Sequence, residues 1–146
     1  MSWVRVWVHM VFSTKYRKPF LRSRVIRRKV FQHIAENAEE KGIWVDCVNG
    51  FSDHSHVLIS LGREQTISKT AQLIKGEASS WVNKNQLLNQ GFAWQDDYWA
   101  VSVSERNVQA VRKYIRNQER HHQKTEFRDE IKKLERSAGL RFVKES

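Results

Sequence analysis

The chain has 146 residues and a formal net charge of +10, which favours a polyanionic partner without separating DNA from RNA or an anionic membrane surface. Its single cysteine excludes a disulfide framework and a cysteine-based zinc site, and fits a reducing cytoplasm. No apolar run approaches the length of a membrane span, and Arg5 and His9 interrupt the apolar start where a secretory signal would be continuous.

The first third of the sequence predicts two strands with a helix between them. Residues 3–13 alternate apolar side chains such as Met10 and Phe12 with a second face that carries Trp7 and His9, which predicts a strand. The predicted elements that follow are a basic connection over residues 14–19, a helix over residues 22–41 ended by Gly42, a strand over residues 43–48 and a turn at Asn49 and Gly50.

A pair of histidines follows this turn. Residues 53–60 predict a third strand, in which His54 and His56 point to one face, roughly 7 Å apart at the backbone. Val57 and Ile59 lie on the opposite face and are expected to enter the core. Two imidazoles on one face can share a divalent metal ion. Two ligands are too few for a tight site, so a third ligand is expected elsewhere in the chain.

The remainder of the sequence predicts further helices and one more strand. Thr66 is expected to cap a helix that runs to about residue 84, and a short strand follows over residues 100–103. Ser104 is expected to cap the next helix, and residues 125–137 predict a last, charged helix. This order of elements predicts an α+β fold with a ferredoxin-like split βαβ sheet (β-α-β-β-α-β) and an added C-terminal helix.

The helix after Ser104 carries a tyrosine within a basic stretch of sequence. Tyr114 and Gln118 fall on one side of this helix, with His121 or His122 a turn further along. The surrounding arginine and lysine residues are predicted to favour the phenolate form of Tyr114 and to attract phosphate. His121 and His122 are alternatives as a metal ligand or a proton shuttle, but a polar turn at the C-terminal end of the helix, where cations are favoured, is the preferred interpretation.

Together these residues resemble a known family. The run His54, Ser55 and His56, followed by Tyr114 and by Gln118 four residues later, is similar to the single-tyrosine HUH transposases of small insertion sequences, including REP-associated tyrosine transposases. Ser55 departs from the family pattern, which usually has a hydrophobic residue there, but its side chain is expected to point away from the metal. The supporting residues are Lys15, Tyr16 and Arg17 after the first strand, Trp94 and Gln95 before Tyr98, and Ser102, Val103 and Ser104 before the tyrosine helix.

The resemblance implies an enzyme that cleaves and rejoins single-stranded DNA at the ends of a mobile element, where it recognises a hairpin. It implies that His54, His56 and Gln118 hold one Mg²⁺ or Mn²⁺ ion. Tyr114 would be the nucleophile that becomes linked to a 5′ phosphate while a 3′-OH leaves. Asp53 could orient His54 through its other ring nitrogen, although turn chemistry explains this aspartate equally well.

The resemblance also implies partners and boundaries. Residues 1–124 are expected to form the transposase domain and residues 125–146 a helical extension. Family members act as homodimers in which the tyrosine helix can serve the histidines of either chain, so the cis and trans arrangements both stay open. The alternative function is a domesticated or non-catalytic protein that binds single-stranded nucleic acid at host repeat hairpins. The residues expected to contact DNA are Lys15, Tyr16, Arg17, Lys18, Lys69, Lys75, Trp94, Gln95, Arg112, Lys113 and Arg116.

Overall fold

The computed structural model describes residues 1–122 and 129–133. Residues 129–133 are helical, and two short 3₁₀ turns lie at Lys15–Arg17 and Glu105–Asn107. The strands are β1 (Val6–Ser13), β2 (Trp44–Phe51), β3 (His54–Leu61) and β4 (Trp99–Val103), and the helices are α1 (Arg24–Glu40), α2 (Ile67–Lys84), α3 (Val108–Arg116) and α4 (Gln118–His121).

The strands form one antiparallel sheet in the order β2-β3-β1-β4. The two central strands, β3 and β1, are therefore the best protected: β3 pairs over residues 54–61 with β1 and over residues 54–60 with β2. This arrangement of strands and helices confirms the predicted ferredoxin-like α+β fold.

The two faces of the sheet pack against different helices because side chains alternate along each strand. On one face, Met10 and Val57 belong to the main apolar core, which α1 and α2 cover. On the other face, Trp7 and Leu58 pack with Ile115 of α3 in a smaller apolar cluster. His9, His54 and His56 share the face of that second cluster, so the fold places them beneath α3 and α4.

Local signals explain where several elements begin and end. The Thr66 side chain accepts a hydrogen bond from the Lys69 backbone N–H and caps α2, as predicted. Gly42 follows α1 with a φ of +74°, a conformation that glycine adopts without steric cost, which confirms the predicted helix end. Ser104 makes no side-chain cap; a 3₁₀ turn follows it, and α3 begins only at Val108.

Two predicted boundaries were wrong. The turn expected at Asn49 and Gly50 lies instead at residues 52 and 53, because β2 extends to Phe51 and pairs Gly50 with Ser55. The tyrosine helix is interrupted at Asn117, which separates α3 from α4. Of the helix predicted over residues 125–137, only residues 129–133 lie within the described part, and these are helical.

Throughout residues 1–122 and 129–133, no helix combines the length and the apolar character needed to cross a membrane.

Candidate metal and tyrosine site

The central strand β3 presents its two histidines to a buried site. His54 and His56 are both fully buried, with an exposed fraction of 0%. The Nδ1–H of His54 donates to Asp53 Oδ1 over 2.8 Å, which fixes the ring and leaves its Nε2 facing the site. The predicted orienting role of Asp53 is thereby confirmed, and the pKa of this carboxyl group is lowered, with the hydrogen bond and charge of His54 acting against its burial.

The neighbouring strand β1 contributes a third histidine. His9 Nε2 lies 2.9 Å from His56 Nδ1, and the two rings are stacked. Burial lowers the pKa of His9 to about 3 and that of His56 to about 4, so both rings are neutral at physiological pH. His9 was predicted to lie on a strand face without a role, because the sequence does not show the antiparallel register that brings it beside His56.

Helix α4 brings Gln118 and His122 to the same place. Gln118 is fully buried, and its Oε1 lies 3.2 Å from His54 Nε2 and 3.1 Å from His122 Nε2. The interruption at Asn117 turns this segment towards β3. The solvated helix end preferred for His122 was therefore wrong, because its side chain is only 4% exposed and contacts Glu130. His121 packs against the Tyr114 ring instead, with 5.5 Å between ring centroids.

Glu130 is a second residue of this site, after His9, that sequence reasoning missed. Its side chain is 1% exposed; one carboxylate oxygen, Oε1, lies 2.9 Å from His56 Nε2, and the other, Oε2, contacts His122 and lies 3.5 Å from His54 Nε2. Its contacts with His122 and His56 hold the pKa of this carboxyl group far below its ordinary value despite burial. No local pattern singles out this glutamate among the many charged residues of the C-terminal segment.

These side chains form a donor cluster that fits a divalent metal ion. One ligand atom from each of His54, His56, His122 and Glu130 lies within 4.8 Å of the others. The cluster is buried and aims nitrogen and carboxylate donors at one point, whereas buried groups of this kind are costly unless they are paired or bind a metal. The residues present therefore fit the metal implied by the resemblance, and they extend the donor set beyond Gln118 and the histidine pair.

Tyr114 points from α3 into the same cluster. Its ring centroid lies 5.6 Å from that of His56, and its hydroxyl donates to Glu130 Oε1. Burial, the hydrogen bond to Glu130 and its negative charge raise the pKa of Tyr114 well above 10. The prediction that basic neighbours favour the phenolate form of Tyr114 was wrong, because its pKa is raised and not lowered. One of these neighbours, Arg112, instead makes two hydrogen bonds of 2.7 Å to Asp46.

The residues expected to contact DNA fall into different environments. Tyr16 is 76% exposed on the Lys15–Arg17 turn, where its φ of +56° and that of Arg17 (+55°) are unusual for non-glycine residues. Lys18, Lys69, Lys113 and Arg116 are also exposed.

Besides Arg112, which pairs with Asp46, two further expected DNA contacts are engaged within the protein. Lys75 Nζ donates to the backbone carbonyl groups of Gln95, Asp96 and Asp97, so this lysine holds a loop in place. Trp94 is 7% exposed and packs edge-to-face with Phe12, which makes it a core residue. Gln95 remains exposed, and its Oε1 accepts a hydrogen bond from the Tyr16 backbone N–H.

Fold and site together define an α+β protein with a buried metal-donor cluster beside a helical tyrosine. The sequence model of the family described as "Transposase IS200 like" matches residues 2–118. This match covers most of the chain, and the protein belongs to the IS200-like transposase family. Membership implies endonuclease and transposition activity on DNA.

Individual relatives agree with this assignment. The ISDra2 transposase TnpA of Deinococcus radiodurans is 26% identical over 117 residues, which cover 75% of this chain and 81% of that protein. A crystal structure of a transposase-like chain from Deinococcus radiodurans R1 shares 22% identity with a TM-score of 0.63, over 81% of this chain and 95% of that one. A REP-associated tyrosine transposase bound to a REP hairpin shares 14% identity with a TM-score of 0.53, over 79% and 66% of the respective chains. The two structural similarities support the fold.

Proposed function

We propose that this protein cleaves and rejoins single-stranded DNA through a covalent 5′-phosphotyrosine intermediate formed by Tyr114. The observation that carries the proposal is the position of the Tyr114 hydroxyl, which lies against Glu130 and beside His56 of its own chain. A tyrosine used only for packing would not need its hydroxyl inside a cluster of metal donors. This position favours the cis arrangement, in which the tyrosine acts at the histidines of the same chain.

The chemical step follows from what these side chains can do. Tyr114 Oη attacks the phosphorus atom in line, the Oη–P bond forms, and the bond from phosphorus to the 3′ oxygen breaks. Glu130 accepts the hydrogen bond of the Tyr114 hydroxyl and orients it. The phenol proton is released to water, and the 3′ oxygen takes up a proton from water. A divalent ion bound by His54, His56 and their neighbouring donors would supply Lewis-acid polarisation of the phosphate and positive charge that favours the phenolate.

Rejoining is the reverse of this step with a different 3′-OH. The 3′-OH attacks the phosphotyrosine and releases its proton to water, and Tyr114 leaves as a phenolate that takes up a proton from water. The covalent intermediate conserves the energy of the phosphodiester bond, so strand joining needs no nucleotide cofactor. A phenolate is a good leaving group, which makes the step reversible.

The exposed Lys15–Arg17 turn and Lys18 form the part of the surface that we propose contacts the DNA backbone. Tyr16 and Gln95 are linked on this surface, so an aromatic ring and an amide are available for unpaired bases. A hairpin target is supported by the REP hairpin held by the related REP-associated transposase. A homodimer remains a prediction, which light scattering of the purified protein can test.

The experiment is a cleavage assay on labelled single-stranded DNA from the flanks of the gene, with divalent ions added. We expect a metal-dependent covalent protein–DNA adduct in the wild type, and its loss in Tyr114→Phe and in His56→Ala. The matched control is Tyr98→Phe, because Tyr98 is a partly exposed tyrosine outside the cluster; this variant should retain the adduct. Tight DNA binding without an adduct under any divalent ion would disprove the nuclease and leave the alternative of a non-catalytic protein that binds repeat hairpins.

A further inference from the structure

Two donors of the cluster, His122 and Glu130, lie beyond the residues 2–118 that match the family model. We infer that His122 and Glu130 are ligands in their own right, and that with them the site selects a first-row transition ion such as Co²⁺ or Mn²⁺ over Mg²⁺. This inference rests on the proposed function for its biological use, because it names the cofactor of the same site. It also goes beyond the expectation that His54, His56 and Gln118 hold one Mg²⁺ or Mn²⁺ ion.

The spacing of the donor atoms is the first argument. Ligands about 2.1 Å from one ion are separated from each other by roughly 3.0–3.4 Å at tetrahedral or octahedral angles. The Nε2 of His56 lies 2.9 Å from Glu130 Oε1, and the Nε2 of His54 lies 3.5 Å from Glu130 Oε2. Gln118 Oε1 lies 3.2 Å from His54 Nε2 and 3.1 Å from His122 Nε2. These four separations are close to the spacing of neighbouring ligands around one ion, and the donor atoms of His54, His56, His122 and Glu130 all lie within 4.8 Å of one another.

The burial of the carboxylate is the second argument. The Nδ1–H of His54 donates to Asp53, which turns the Nε2 of His54 towards Gln118 Oε1 and Glu130 Oε2. Both carboxylate oxygens of Glu130 lie inside the cluster, and its side chain is 1% exposed. A buried carboxylate is costly unless it is paired or binds a metal. A divalent ion would coordinate the ring nitrogens and the carboxylate at once.

The composition of the donor set is the third argument. Mg²⁺ prefers oxygen ligands and keeps several of its waters, and it is usually held by one or two carboxylates. Here three imidazole nitrogens converge with one carboxylate, and His54 and His56 are fully buried. Imidazole nitrogen favours first-row transition ions, whose affinity rises from Mn²⁺ to Co²⁺. The set therefore predicts the affinity order Co²⁺, then Mn²⁺, then Mg²⁺.

Calorimetric titration of the full-length, metal-stripped protein tests this inference. Co²⁺, Mn²⁺ and Mg²⁺ are the probes, and the visible absorption of Co²⁺ reports its coordination independently of activity. We expect Co²⁺ and Mn²⁺ to bind at least ~100-fold more tightly than Mg²⁺. Glu130→Gln and His122→Asn should each weaken Mn²⁺ binding by about 10-fold or more and change the Co²⁺ spectrum. Glu64→Gln is the control for charge, because the Glu64 side chain is 85% exposed and remote from the cluster.

Two results would overturn the inference: Mg²⁺ affinity equal to that of Co²⁺, or unchanged Mn²⁺ affinity in both cluster variants. Circular dichroism of each variant shows that it is folded before titration, and either cluster variant suffices if the other does not fold. The adduct assay separates this inference from the proposed function. Loss of metal affinity in Glu130→Gln without any adduct in the wild type would support the site and reject the nuclease. An adduct in the wild type, together with wild-type metal affinity in both variants, would support the nuclease and reject His122 and Glu130 as ligands.

Discussion

At the scale of single residues, His9 determines which ring nitrogen of His56 carries the proton. If His56 is to offer the Nε2 lone pair to a metal ion, its proton must reside on Nδ1. Within the part of the chain that the structure describes, His9 Nε2 lies within hydrogen-bond distance of His56 Nδ1, at 2.9 Å. Because burial keeps His9 neutral, its Nε2 can accept this hydrogen bond and fix the tautomer of His56.

This role predicts the effect of removing the acceptor. His9→Phe should keep the ring volume but lower divalent-ion affinity by about 10- to 100-fold, the usual cost of losing an outer partner of a ligating histidine. His9→Gln keeps an acceptor oxygen and should therefore lose less divalent-ion affinity than His9→Phe. Calorimetry with Mn²⁺ measures both effects. Equal affinities for the wild type and His9→Phe would show that His9 only fills space.

Cys47 gives a prediction about pH. The thiol is half-buried on β2, and burial together with the negative charge of Asp46 raises its pKa to about 11. A raised thiol pKa means that the reactive thiolate is scarce at neutral pH and increases only as the pH approaches 11. Alkylation by iodoacetamide at pH 8 should therefore be about 100-fold slower than in the urea-unfolded chain. Mass spectrometry over time measures the rate. Similar rates in the folded and unfolded chain would contradict the assigned environment.

At the scale of elements, the contact between β2 and β3 positions the histidine pair. Gly50 of β2 lies opposite Ser55, and a Cβ atom added at Gly50 would lie 2.1 Å from the His54 carbonyl oxygen and 2.9 Å from Ser55 Cα. Both neighbours are backbone atoms, so the strands themselves would have to separate. The φ of Gly50 lies outside the left-handed region. The close approach of the two strands, and not an unusual backbone conformation, is therefore the reason for a glycine at this position.

Gly50→Ala should therefore lower the free energy of unfolding by about 1–3 kcal/mol, a range typical of overpacking. Because His54 moves with its own carbonyl, metal affinity should fall as well. Urea denaturation and Mn²⁺ calorimetry measure the two effects. Gly76→Ala is the control, since a Cβ there meets nothing within 4 Å and alanine favours the helix α2. Stability unchanged in Gly50→Ala would show that the strands yield without cost.

The elements also show how much the sequence predicts. Alternation along β1 and β3 predicted which face meets the core, and it placed His54 and His56 together, because strand periodicity is local. The caps at Thr66 and Gly42 were predicted for the same reason. Glu130 could not be predicted, and a place for His122 in the site was only one of its alternatives, since both depend on the interruption at Asn117 and on contacts that join distant parts of the chain. Trp94 illustrates the reverse case, because burial against Phe12 cannot be distinguished in sequence from an exposed aromatic ring.

At the scale of the whole molecule, the net charge of +10 does not mean that every cation is available to bind DNA. Several cations are engaged within the fold: Arg112 pairs with Asp46, and Arg27 pairs with Glu119 over 2.8 Å while its side chain is 6% exposed. The Lys15–Arg17 turn and Lys18 stand out because they are exposed and adjacent to Gln95. Affinity for DNA should depend on this local group more than on net charge.

Salt dependence separates these two sources of affinity. Each phosphate contact on a single strand contributes about 0.7 to the slope of log affinity against log salt. Replacing Lys15 and Lys18 by glutamine should lower the slope for an oligothymidine by about 1.4 in total. The control replaces Arg28 and Lys29 of α1 by glutamine, which removes the same charge from exposed positions elsewhere. Fluorescence anisotropy from low to moderate salt measures each slope. Equal reductions in the two pairs would mean that the DNA responds to the overall field of the protein, whereas a reduction confined to the first pair locates the strand beside Tyr16.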